Sequence, residues 1–136
     1  MDCLFCKIAS GEIPCAKIYE DEDVLSFLDI KPVNIGHSLV ISKDHHENIH
    51  ETPEELAAKL MKVVKKVAEA VKNGVTADGI NIVMNNGVAA SQVIFHTHIH
   101  VIPRFLGDGF PVWHGKRDYR AGEKDEVSNR IAHLLL

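Results

Sequence analysis

Three histidines stand at every second position of one apolar run: His96, His98 and His100, within residues 92–104. If the run is a strand, alternate side chains share a face. The three imidazoles then point one way, while Phe95, Ile99 and Val101 point the other way and can pack against a helix. Each imidazole carries two ring nitrogens that need partners, and a buried polar group left unpaired costs about 1–3 kcal/mol. A row of three therefore has little use in a hydrophobic core and reads as a site. Two chemistries fit. Two or three neutral imidazoles could hold a metal such as zinc. Alternatively, one is a nucleophile or general base and its neighbours bind a phosphate. Spacing alone does not choose between them.

The elements that must position this run can be read around it. The clearest is an amphipathic helix over residues 53–73. Thr52 is placed to cap it, Pro53 suits its first turn and Glu55 completes a capping box. Leu56, Leu60, Val63, Val64, Val67 and Val71 recur at helical spacing, and Gly74 is a natural stop. Short runs at residues 16–20, 24–28 and 38–42 before it, and at 79–84 and 94–102 after it, read as strands. Their connections are too short for parallel crossovers, which need a dozen residues or more. The expected fold class is α+β, an antiparallel sheet of about five strands with one main helix across a face. Residues 105–122 read as loop, and a weaker helical pattern over 123–134 closes the chain.

Composition bounds the function. The 136 residues make one domain, with 46% hydrophobic and 25% charged side chains. A net charge of −4 offers no basic excess for general nucleic-acid binding. No stretch approaches the roughly 20 apolar residues of a membrane span, and the N-terminus lacks the layout of a secretory signal. An odd count of three cysteines argues against a disulfide framework. The expected compartment is a reducing cytoplasm, where Cys3-x-x-Cys6 becomes a metal or redox question.

Several motifs together then resemble one family. His96-Thr97-His98-Ile99-His100-Val101-Ile102 is similar to the His-φ-His-φ-His-φ-φ signature of the histidine triad (HIT) superfamily, with Thr97 the less apolar φ position. Gly36-His37-Ser38-Leu39-Val40-Ile41-Ser42-Lys43 resembles its Gly-His-x-Leu-Val-Ile-Pro-Lys strand, with Ser42 in place of proline. Phe27-Leu28-Asp29-Ile30 resembles its nucleoside-binding strand, and Cys3-x-x-Cys6-x-Ile8 with Glu12-Ile13-Pro14 its N-terminus. The likeness runs from Cys3 to about Arg104 and is strongest to the histidine-triad nucleotide-binding branch, whose members hydrolyse nucleoside phosphoramidates.

The resemblance implies roles. His98, the middle histidine, would attack the α-phosphorus of a nucleotide, giving a nucleotidyl-histidine that water hydrolyses. His100 would bind the phosphate and help protonate the leaving amine, and His37 would complete the cluster. Asn85, the Gly87 loop, Gln92 and Val93 would hold the phosphate and the transferred group. Asp29 would take the ribose hydroxyls, and Ile8, Ile13, Phe27 and Ile30 would wall the base. One departure stands out: the family's Ala-Gly-Gln reads Ala90-Ser91-Gln92 here. Glycine is used where φ is positive or backbone approaches a ligand, so Ser91 bears on the loop's shape, and its hydroxyl could add a phosphate contact.

Some HIT proteins carry a structural zinc on positions that correspond to Cys3, Cys6, His45 and His96. Two thiolates and two imidazoles make a closed tetrahedral set with no position open for catalysis. Cys15, His46, His50 and His133 read as solvated bystanders, Trp113 as a packing anchor for its loop, and His114 carries no assigned role. The activity implied is hydrolysis of purine nucleoside phosphoramidates, adenosine 5′-phosphoramidate or AMP–lysine adducts, by a homodimer. The rivals are a dinucleoside polyphosphate hydrolase and a non-catalytic nucleotide-binding module.

Overall fold

A computed structural model describes residues 2–111, 113 and 115–135. Cys3 caps a short helix, α1 (Leu4–Ala9), its sulfur accepting from the Cys6 N–H. Strands β1 (Lys17–Glu20), β2 (Val24–Leu28) and β3 (Ser38–Ser42) follow, then α2 (Glu54–Gly74), β4 (Gly79–Val83), a 3₁₀ turn (Val88–Ala90), β5 (His98–Arg104) and α3 (Glu123–His133). The five strands form one antiparallel sheet in the order β1-β2-β3-β5-β4. The expected α+β class and five-strand antiparallel sheet are what the chain adopts.

The two sheet faces have different partners. Val24, Val40, Ile99 and Val101 face α2 and bury with its Leu60, Val63, Val64, Val67 and Val71. These are the periodic positions expected to form the helix's apolar stripe. On the other face Leu25, Phe27, Leu39 and Ile41 pack with Cys3 and Phe5 of the α1 segment. Directly paired residues share a face, and Leu39 pairs with His100 while Ile41 pairs with His98. The histidines therefore stand on the α1 side, opposite the main helix.

Four local expectations are corrected. The capping box at α2 does not form: the helix has no side-chain cap, because the Thr52 hydroxyl bonds the Asn48 carbonyl and Thr97 Oγ1 instead. Gly74 is the helix's last residue rather than its stop, and the left-handed turn falls on Thr76. The last strand begins at His98, not near Ile94, because the Thr97 N–H is taken by the His46 carbonyl at 2.7 Å rather than by the sheet. Phe95, left outside that strand, is partly exposed and does not join the helix-facing core. Gly36, between β2 and β3, has φ +104°, and a Cβ there would stand 2.9 Å from Val75 Cγ1. That turn has room only for glycine.

Candidate active site

β5 puts His98 and His100 on the α1 face, and β3 brings His37 beside them from its N-terminal end. His98 is buried, and its Nδ1–H donates to the His96 carbonyl at 2.6 Å. A carbonyl can only accept, so the neutral ring keeps its lone pair on Nε2. Burial lowers the His98 pKa, against the opposing pull of that hydrogen bond, so the neutral form is favoured. Phe5 packs edge-on against His98, ring centroids 5.0 Å apart, and against His96 at 5.9 Å. His37 Nε2 lies 2.9 Å from His100 Nδ1 and 3.7 Å from Asp29 Oδ2. The Val33 N–H meets His37 Nδ1 at 3.0 Å. Burial lowers the pKa of His37, and burial together with the His98 and His37 rings holds His100 down at about 4.

These histidines border a cavity of about 410 Å³ whose wall is mainly apolar. Of the residues expected to form the site, it brings together His98, His100, Asp29, Ile8, Ile13, Phe27, Ile30, Ser91 and Val93. His37 stands behind His100, buried. Asp29 is oriented by its own turn, Oδ1 accepting from the Lys31 N–H at 2.8 Å. Leu4, Phe5 and Cys15 also line the cavity and were missed. The helix that carries Leu4 and Phe5 is too short for a hydrophobic period, and Cys15 is wall rather than solvated surface. The usable signal was Cys3-x-x-Cys6, which fixes one helical turn.

Asn85, Gly87 and Gln92 are not part of that wall. Gln92 is buried and fully engaged: Oε1 accepts from the Gly87 N–H at 2.8 Å, and Nε2 donates to the Glu47 and Ile94 carbonyls. It shapes the 85–92 loop from within. The Asn86 side chain ties the same loop to the Ile49 N–H at 2.8 Å. Ser91 adopts φ 70°, ψ 25°, a left-handed conformation that glycine, the family's residue at this position, reaches without strain. Trp113 is 75% exposed and anchors no core, and His114 lies outside the described residues. His46 is drawn in through its backbone, whose carbonyl holds the Thr97 N–H and hydroxyl.

A second cluster lies beneath α1. Cys3 Sγ and Cys6 Sγ are 3.4 and 3.6 Å from His96 Nδ1, and Cys6 Sγ is 3.3 Å from His45 Nδ1. All four donor atoms fall within 4.8 Å of one another. Neighbouring corners of a tetrahedron with zinc–sulfur and zinc–nitrogen bond lengths are about 3.6 Å apart, so the separations fit such an ion. The protonation fits as well. His96 Nε2–H donates to the Ser42 carbonyl at 2.6 Å, which leaves the Nδ1 lone pair facing the sulfurs. Burial also lowers the His96 pKa, keeping its ring neutral, whereas it raises that of Cys6, whose thiol would release its proton on binding a metal.

A family model described as HIT domain matches residues 10–107. The chain is 47% identical to Protein hit of Bacillus subtilis, over 98% of this chain and 94% of that one. It is 38% identical to adenosine 5′-monophosphoramidase hnt1 of Schizosaccharomyces pombe, over 96% and 99%. Among solved structures, a Streptococcus mutans protein superposes with a TM-score of 0.93 at 41% identity, covering 99% of this chain and 86% of that one. A zinc-bound histidine triad family protein from Mycobacterium smegmatis superposes at 0.78 with 42% identity, covering 98% and 96%.

Proposed function

The chain belongs to the HIT domain family, and on that premise we propose that it hydrolyses purine nucleoside phosphoramidates through a nucleotidyl intermediate on His98. The observation that carries this reading is the state of His98. Its Nδ1–H is spent on the His96 carbonyl, its burial favours the neutral ring, and its Nε2 lone pair is free at the wall of the cavity. That is what a nitrogen nucleophile needs.

The apolar wall from Ile8, Ile13, Phe27 and Ile30 accepts the flat face of a purine, and Asp29 at its edge accepts from the ribose hydroxyls. Ser91, Val93 and the loop that Gln92 holds in shape flank the α-phosphate, and Asn85 and Gly87 belong to that loop. His98 Nε2 attacks phosphorus, the P–N bond breaks, and the amine leaves with a proton from solvent rather than from His100, whose ring burial keeps neutral. Water then attacks the nucleotidyl-His98, its hydroxyl stays on AMP, its other proton returns to solvent, and the imidazole is restored. His100, backed by His37, holds the phosphate while the bonds change.

Cys3, Cys6, His45 and His96 would hold a zinc ion, whose chemistry is structural: it clamps α1 to the catalytic segment. A homodimer is supported by the open edge of β4 and by a C-terminal arm with exposed Trp113 and Tyr119 and an α3 that buries no residue. No helix among the described residues is long and apolar enough to cross a membrane. Three free cysteines suit a reducing cytoplasm.

The test is a hydrolysis panel of adenosine 5′-phosphoramidate, an AMP–lysine adduct and diadenosine polyphosphates, with His98→Ala as control. Phosphoramidate turnover should lead, and His98→Ala should lose about a thousandfold or more. Unchanged turnover in His98→Ala would sink the mechanism, and faster polyphosphate cleavage would move the assignment to that substrate class.

A further inference from the structure

The 29–37 loop has no core of its own. Ile30 and Ile35 are 93% and 78% exposed, and Val33 is partly exposed. Hydrogen bonds hold it instead. Asn34 Nδ2 donates to the Pro103 carbonyl at 2.9 Å and to Asp108 Oδ2 at 3.0 Å. Asp108 is itself fixed by Arg104, through Nε at 2.8 Å and a second guanidinium nitrogen at 2.7 Å, and by the Phe105 N–H. Asn34 is thus the clamp between this loop and the end of β5.

That clamp has a chemical consequence one residue away. The Val33 N–H can only donate, so His37 Nδ1, 3.0 Å from it, must present a lone pair. Neutral His37 then carries its proton on Nε2, where the Asp29 carboxylate at 3.7 Å also favours it. The Nε2–H points at His100 Nδ1, 2.9 Å away, which must accept. His100 is left with its proton on Nε2, its remaining ring nitrogen, at the cavity wall. A proton added to His37 Nδ1 or His100 Nδ1 would set two N–H groups face to face, in keeping with the lowered pKa values of both rings. The same logic argues against a metal on Asp29, His37 and His100, although their donor atoms lie within 4.8 Å of one another. A metal there would need a lone pair where His37 holds its proton.

We propose that Asn34 is a positioning residue that fixes the Val33 N–H against His37, and thereby fixes His100 as the tautomer that offers an Nε2–H to the phosphate. The tautomer assignment stands on geometry, while its effect on turnover rests on the phosphoramidase reading. In that reading His100 acts as a fixed hydrogen-bond donor to phosphate oxygen, strongest as negative charge gathers there.

The experiment is long-range ¹H–¹⁵N NMR of the metal-loaded protein without substrate, paired with steady-state kinetics on adenosine 5′-phosphoramidate. In the wild type, His37 and His100 should both be Nε2–H tautomers at pH 7. Asn34→Ala, and independently Val33→Pro, which deletes the N–H, should bring the His100 Nδ1–H form to about half. kcat should fall at least about twofold, in step with the lost Nε2–H fraction, with KM little changed. An Nδ1–H His100 in the wild type overturns the proposal without recourse to any variant. So do unchanged tautomers in both variants, or shifted tautomers with full kcat. A protein that shows the expected tautomers but no hydrolysis in the wild type condemns the phosphoramidase reading instead.

Discussion

Ser91→Gly should stabilise this protein, and Ser91→Ala should not. Ser91 closes the 3₁₀ turn at φ 70°, ψ 25°, where an L-residue's Cβ crowds the following carbonyl at about 1–2 kcal/mol. Glycine escapes that crowding but gives back part of the gain, because its unfolded chain has more freedom, worth roughly 0.5–1 kcal/mol. The net gain is about 1 kcal/mol. The side chain is exposed, and its hydroxyl has no hydrogen-bond partner among the described residues, so removing it forfeits nothing in the folded state. Alanine keeps the Cβ and the left-handed strain, and its stability should match serine within about 0.5 kcal/mol. At about 2.1 cal/mol/K per residue over 136 residues, 1 kcal/mol moves Tm by about 3.5 °C. The assay is calorimetry of the three proteins at one protein and one zinc concentration, since any self-association or metal binding would shift Tm. The same pair separates backbone from hydroxyl in catalysis: if Ser91 Oγ touches the phosphate, alanine lowers kcat/KM while leaving Tm in place. A Ser91→Gly protein less stable than wild type, or an alanine variant as stabilised as glycine, refutes the strain argument.

Two further outcomes follow from the histidine and cysteine clusters. Cys3→Ser/Cys6→Ser should lower zinc from about one ion per chain to background by elemental analysis, and weaken AMP binding by about tenfold in calorimetric titration, because Leu4, Phe5 and Ile8 lose their clamp; undiminished zinc rules the site out. His100 has a folded pKa of about 4 against 6.5 when free, so between those values the unfolded chain binds a proton that the folded chain does not. Stability then rises with pH across that window and is lost on acidification, by up to about 3 kcal/mol; urea midpoints from pH 4.5 to 7 should show this slope in wild type and a shallower one in His100→Gln.

The parts of this protein legible from sequence are those governed by short periods. The α2 stripe, with Leu60, Val64 and Val67 buried, follows from helical spacing, and the shared face of His98 and His100 follows from strand spacing. What escaped is what long-range polar competition decides. Thr52 had every local feature of a helix cap, yet Thr97 and Asn48 claim its hydroxyl across the fold. Gln92 looked free to meet a phosphate, and three backbone groups of its own and the neighbouring loop occupy it. The residues assigned by resemblance rather than by period fall into place only in part: Asp29, Phe27 and Ile30 reach the cavity, whereas Asn85 and Gly87 stand back from it. No spacing rule separates those two groups, because the difference arises where a hydrogen bond ends.

The period-two run of histidines shows how one such ending divides a motif between two clusters. Had the strand begun at Ile94, His96 would share the pocket face with its two successors. The Thr97 N–H pairs with the His46 carbonyl instead, the sheet starts at His98, and His96 turns its Nε2–H to Ser42 and its Nδ1 to the cysteines. The His96 carbonyl meanwhile receives the His98 Nδ1–H. One residue thus faces the cysteines with its side chain and orients His98 with its backbone. The loop that supplies His45 extends the connection, since its Glu47 carbonyl and Ile49 N–H are the anchors of Gln92 and Asn86. The cavity wall at Leu4 adjoins Cys3, His98 bonds the His96 carbonyl, and the 85–92 loop is anchored on the segment that follows His45. A metal ion bound by Cys3, Cys6, His45 and His96 would therefore bear on the cavity wall, on His98 and on the 85–92 loop at once.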